Sequence, residues 1–123
     1  MELIQMLKAL ADETRLRILN LLGQGELCVC ELELLLDVNQ SNASRHLNRL
    51  TNAKVISFEK RAQYVYYKLN EDILQEHAFF KEILENELPK VDQCKEDLAR
   101  LKNYRQQGFS CEDIKDGKVC LNG

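Results

Sequence analysis

The stretch from Ser41 to Leu69 constrains the fold most, because its apolar periodicity changes there from a helical to an extended repeat. At about 100° per residue with Asn42 at zero, Ala43, Leu47 and Leu50 fall between about 80° and 140°, whereas Asn42, Arg45, His46 and Arg49 fall between about 300° and 40°. One face packs and another carries hydrogen-bond donors. Val55–Phe58 and Tyr64–Leu69 are rich in β-branched and aromatic residues, and the polar, basic stretch Glu59–Gln63 between them predicts a hairpin.

The rest of the chain reads as helix. Asp12 is a good N-cap for ETRLRILNLL, whose Leu16, Leu19 and Leu22 keep helical spacing until Gly23 and Gly25. A short helix with Leu3, Met6, Leu7 and Leu10 on one stripe precedes it. VCELELLL, from about Cys28, predicts a third helix that ends at the turn-like Asp37-Val38-Asn39, and Ser41 is the expected cap of the fourth. Beyond Asn70, Ile73, Phe80, Leu84 and Leu88 repeat at near-helical intervals. A second helix opens at Pro89 and carries Val91, Cys94, Leu98, Leu101 and Tyr104 or Arg105 on a narrow stripe that wants a partner helix. Residues 109–123 hold Cys111, Cys120 and an Asp116-Gly117 turn, with too little apolar content to predict a packed element. We therefore expect a mainly α protein with a small β-hairpin, as one domain over residues 1–106 and a cysteine-containing tail over 107–123.

Charge narrows the function. The formal net charge of -3 hides a basic block between two acidic ones. Residues 40–68 hold Arg45, Arg49, Lys54, Lys60, Arg61 and Lys68 against Glu59 alone. Such a cluster is the footprint of a small nucleic-acid binder, because phosphate neutralisation supplies most non-specific affinity. No glycine lies between residues 26 and 107, so phosphate-cradling loops and dinucleotide motifs are excluded there. The longest apolar runs, Leu27–Cys30 and Tyr64–Tyr67, are far short of the ~18 residues of a membrane span. The start MELIQMLKAL lacks a basic region, an apolar stretch and a cleavage site, so the expectation is a cytoplasmic protein with no membrane association. In that setting the 5 cysteines read as thiols for metal or redox chemistry and not as a disulfide framework.

Two helices joined by a short turn, the second with a polar stripe and followed by a basic hairpin, make up a winged helix-turn-helix. The segments LKALADETRLRILNLL, ELCVCEL, SNASRHLNRL and YVYYKL, in this order, resemble the ArsR/SmtB family of metal- and arsenic-responsive repressors over residues 3 to about 70. The resemblance implies a recognition helix at Ser41–Leu50, a wing at residues 55–69, terminal helices forming a homodimer, and no enzymatic activity. On the recognition helix Arg45 can reach a guanine edge and Asn42 an adenine, Ser41, Ser44 and Arg49 suit phosphates, and His46 borders the packed face. Lys60, Arg61 and Gln63 at the hairpin tip suit a groove or the DNA backbone.

ELCVCEL resembles the thiol sensor of the arsenic and cadmium/lead branches, which makes Cys28 and Cys30 expected ligands. Residues two apart on a helix point about 200° away from each other, so one ion can join both sulfurs only if the first turn unwinds. The arsenic-branch pattern carries a third cysteine where this chain has Glu33, and nothing before Cys28 is a cysteine. Arsenite seeks three thiolates; Cys111 and Cys120 are candidate third ligands in a tail free to move, Cys94 reads as core, and a monosubstituted arsenical would need only two. As(III) is the expected effector, with Cd(II), Pb(II) or oxidation of Cys28 and Cys30 as alternatives. A thiol enzyme is the remote one, since only His46 and His77 are available as bases and neither is suggestively placed.

Overall fold

The computed structural model describes residues 1–115. Helices α1 (Glu2–Leu10) and α2 (Glu13–Leu22) lead into a two-residue strand β1 (Leu27–Cys28), then α3 (Val29–Leu36) and α4 (Gln40–Asn52). The hairpin β2 (Ile56–Arg61) and β3 (Tyr64–Leu69) follows. Strand order is β1-β3-β2, all antiparallel, with Leu27 opposite Tyr67 and Cys28 opposite Tyr66. The chain is thus a winged helix-turn-helix, as expected, with an added strand that the sequence reading missed. Ile18 and Leu19 of α2, Leu32 and Leu35 of α3, and Leu47 and Leu50 of α4 are all fully buried in one core.

Local chemistry explains the element ends. The Asp12 carboxylate accepts from the Arg15 backbone N–H at 3.0 Å and starts α2 as expected. α4 starts earlier than Ser41, because the Asn39 side chain accepts from the Asn42 N–H at 2.8 Å and satisfies a first-turn donor. α3 ends at Asp37, which takes the left-handed conformation at φ 55° that Asp tolerates better than most residues.

Beyond the wing the expected pair of helices is more broken. α5 (Glu71–Glu76) stops at His77, whose extended backbone separates it from α6 (Ala78–Glu82). A π-turn over Ile83–Glu87 and a 3-10 turn over Leu88–Lys90 follow. Pro89 has no N–H to give back to the preceding turn, so the regular ladder cannot run through it. α7 (Asp92–Gln106) therefore opens after the proline and not at it. It docks on α2 through Asp97, wholly buried, which accepts from Arg17 Nε and Nη2 at 2.7 and 2.9 Å. Asn20 Nδ2 donates to the Cys94 carbonyl at 3.1 Å beside this pair, and Cys94 is buried as a core residue, as expected.

The tail departs most from expectation. Gly108, at φ 72°, turns the chain back in a conformation that favours glycine. Phe109 and Ile114 pack against the core, and Cys111–Lys115 forms a short helix, α8, seated on α3. Cys120 and the Asp116-Gly117 turn lie outside the described residues.

Candidate metalloid sensor and nucleic-acid interface

The candidate metalloid site is built around Cys28, which three elements claim at once. It ends β1 opposite Tyr66 of the wing, it is the N-cap of α3, and its side chain is buried against α8. Glu31 accepts from the Cys28 N–H at 2.9 Å through Oε1 and from the Tyr104 hydroxyl at 2.6 Å through Oε2. One carboxylate thus ties the start of α3 to α7. Burial and this bond push the Tyr104 hydroxyl far above its ordinary range, so it stays a donor.

Cys28 and Cys111 are joined as a disulfide, with Cα atoms 6.8 Å apart. One pair is thus bridged where the cysteines were expected as thiols for metal or redox chemistry, and Cys111 sits in a short helix and not in a tail free to move. Both residues are buried, and Phe109 and Ile114 hold the segment in place. Ligand atoms of Cys28, Glu31 and Cys111 all lie within 4.8 Å of one another. Cys30 is not in that group. It stands half-buried in the first turn of α3, whereas Cys28 is the extended cap before that turn, so the expected divergence of about 200° for two helical residues does not describe this pair. Burial and the neighbouring Glu33 raise the Cys30 thiol above its usual value.

Once reduced, the pair offers two soft sulfurs at one spot, a donor set that fits a thiophilic ion, with a third sulfur two residues along the chain. Glu31 and Tyr104 were missed as site residues. A signal for Glu31 existed: Cys28-Val29-Cys30-Glu31 has capping-box spacing with cysteine at the serine position. Nothing in the sequence marks Tyr104.

On α4, Ser41, Asn42, Arg45 and Arg49 are exposed or nearly so, Ser44 is half-exposed, and Ala43, Leu47 and Leu50 are buried. Arg45 Nη2 donates to Asn42 Oδ1 at 3.1 Å, which presents the two side chains together. His46 does not join them. It is buried, and its Nδ1 accepts from Arg15 Nη1 at 3.2 Å, which leaves the neutral ring's proton on Nε2. Burial, with help from Arg15 and Arg45, lowers its pKa against the opposing pull of Asp12. The same Arg15 donates to the Ala9 and Lys8 carbonyls at 2.6 and 3.2 Å, so it fastens the end of α1 to the recognition helix.

At the wing tip, Lys60 is exposed, whereas Arg61 pairs with Glu26 at 2.5 Å and lies 4.0 Å from the centre of the Tyr66 ring. Gln63 donates to the Tyr64 hydroxyl at 2.9 Å. Arg61 thus differs from Lys60 in already having a carboxylate partner and an aromatic neighbour within the protein.

Residues 12–57 match the family described as bacterial regulatory protein, arsR family. An arsenical resistance operon repressor of Staphylococcus aureus is 30% identical over 116 residues, covering 94% of this chain and 94% of that one. The chain belongs to the arsR family. The arsenic resistance transcriptional regulator ArsR1 of Pseudomonas putida is 44% identical over 69 residues, 55% of this arsR-family chain, which spans only 54% of that relative's length. Among solved structures, a homodimeric winged helix-turn-helix DNA-binding domain from Mycobacterium bovis superposes with a TM-score of 0.60 at 29% identity, over 67% of this chain and 77% of that one. The matched family segment contains α2, α3 and α4, so it includes Cys28, Cys30 and the exposed stripe of the recognition helix.

Proposed function

We propose that the chain is a homodimeric transcriptional repressor that binds double-stranded operator DNA and releases it when a thiophilic metalloid, As(III), takes up Cys28. The observation that carries this reading is the position of Cys28, which caps the helix just before the recognition helix, pairs with the wing and meets the sulfur of Cys111. A ligand pulling on that residue works on both DNA-contacting elements together.

Asn42 and Arg45 are the base-reading pair in this reading, Ser41, Ser44 and Arg49 take phosphates, and Lys60 and Gln63 serve the wing. Leu3, Ile4 and Leu7 of α1 are 39%, 48% and 46% exposed, which supports a homodimer because a monomer would leave this stripe in water. Cys28 and Cys111 supply two thiolates when reduced, and Cys30 supplies the third once the first turn of α3 unwinds. The names of the Staphylococcus and Pseudomonas relatives support an arsenical effector. The Glu31 carboxylate beside the sulfurs favours a second reading, a divalent ion such as Cd(II) or Pb(II).

Arsenite, cadmium, lead and zinc titrated separately into the reduced protein on operator DNA, with thiolate-to-ion absorption and DNA release followed together, test both readings. Arsenite is expected to give both signals. Cys28→Ser should keep operator affinity, since serine is nearly isosteric and a good cap, and lose release, a coupling of about 1 to 3 kcal/mol in this class of switch. Normal release from the Cys28→Ser protein would overturn the assignment.

A further inference from the structure

The bridged and ion-bound states of Cys28 make opposite demands on α3. With Cys28 joined to Cys111, α3 is helical from Val29, the Cys28 backbone is an extended cap at φ -85° and ψ 167°, and Glu31 still accepts its N–H. α4 keeps its Asn39 cap, its buried Ala43, Leu47 and Leu50, and its outward-facing Asn42, Arg45 and Arg49. The bridge therefore leaves the DNA-contacting face assembled. Cys30 lies outside the group of ligand atoms that Cys28, Glu31 and Cys111 form, so capture of an ion by Cys28 and Cys30 together requires the start of α3 to rearrange.

We infer that reversible oxidation of Cys28 and Cys111 by a hydroperoxide converts the protein into a repressor that holds its operator and no longer answers arsenite. The inference rests on the function proposed above. The Cys28 thiolate attacks the peroxide oxygen, the O–O bond breaks, and the departing alkoxide takes a proton to leave as alcohol, or as water where the oxidant is hydrogen peroxide. The sulfenic acid formed on Cys28 is then attacked by the Cys111 sulfur, which makes the S–S bond and expels water with the thiol proton. Two electrons pass from two thiols to the hydroperoxide, and a reducing thiol or phosphine reverses the step. A disulfide sulfur is no longer a thiolate, so the site loses both of its assembled ligands. Cys94 is buried away from the pair as a free thiol and Cys30 is likewise unbridged, so among the described residues the chemistry is confined to one pair.

Access requires movement of α8, a five-residue helix beyond Gly108 whose contacts with the rest of the fold among the described residues include those of Phe109, Cys111 and Ile114, and Lys115 over the Tyr64 ring. The test uses the full reduced chain, part of it treated with hydrogen peroxide and then freed of oxidant. Digestion without reduction should yield a peptide joining Cys28 to Cys111. The oxidised protein should bind operator DNA within about twofold of the reduced one, while arsenite that shifts the reduced complex by about tenfold or more leaves it in place. A phosphine reductant should restore the response. Absence of the joined peptide, loss of DNA binding on oxidation, or an unchanged arsenite response would each overturn the inference alone. A reduced protein that ignores arsenite would overturn both this inference and the proposed function.

Discussion

Replacing Lys60 and Arg61 one at a time separates two residues that look alike in the sequence. Arg61 contributes little net charge at the wing tip, because Glu26 lies 2.5 Å from its guanidinium and Glu59 4.0 Å away, and its Cζ lies over the Tyr66 ring at 4.0 Å from the centre. Lys60 is exposed and pairs with no carboxylate among the described residues. If each Lys60 of a dimer neutralises one phosphate, losing both lowers the slope of log affinity against log salt by about 1.8. Between about 50 and 200 mM salt, a fourfold change, that slope amounts to about a twelvefold smaller loss of affinity in the Lys60→Ala protein than in the parent. Arg61→Ala should leave the slope nearly unchanged, since Glu26 and Glu59 already offset the charge that is removed. Fluorescence anisotropy on an operator duplex over a salt series reads both slopes directly. An Arg61→Ala slope lowered as much as that of Lys60→Ala would show that the guanidinium leaves Glu26 on binding, and would refute this account of the wing.

Three further outcomes follow from the fold. Asp97→Ala should cost about 3 kcal/mol in urea unfolding, the low end for a broken buried pair, because the abandoned Arg17 side chain is 16% exposed and can reach water; a loss under about 1 kcal/mol would mean α7 does not dock through this pair. Because burial holds His46 below its ordinary pKa, the unfolded chain takes up the proton first, so stability present above about pH 6.5 is lost as the pH falls from there to the lower folded value. His46→Gln should remove that part of the acid sensitivity between about pH 7.5 and 5.5, and an unchanged profile by chemical denaturation would place the sensitivity elsewhere. Leu7→Lys should weaken the dimer without unfolding the monomer, as sedimentation velocity and circular dichroism would show together, because this side chain is 46% exposed on α1; an unchanged sedimentation coefficient would move the interface away from α1.

The DNA-facing half was legible because its information is local. Periodicity alone put Ala43, Leu47 and Leu50 inward and Asn42, Arg45 and Arg49 outward, and the switch to alternating β-branched residues marked the wing. His46 was ambiguous for a physical reason. It lies on the border of the stripe, and its inward turn is decided by Arg15, 31 residues away, which needs an acceptor after satisfying the end of α1. The ion pair of Arg61 was not legible on the same ground, since its partner Glu26 sits before the helix-turn-helix and meets it only when β1 pairs with β3.

The candidate metalloid site was half legible, and the boundary between the halves has a cause. CVC and the change to glutamate at position 33 could be read in one segment, but closing the site needs a contact across 83 residues. No periodicity encodes such a contact; it depends on Gly108 reversing the chain and on Phe109 and Ile114 finding the core. A tail that looked too polar to fold required only those two apolar side chains to bring Cys111 to α3. Glu31 then links that contact to the rest of the molecule, since it holds the Cys28 amide with one oxygen and Tyr104 with the other. Any movement of Cys28 must therefore break or carry with it the bond from Glu31 to Tyr104, so the proposed release involves α7 as well as the wing.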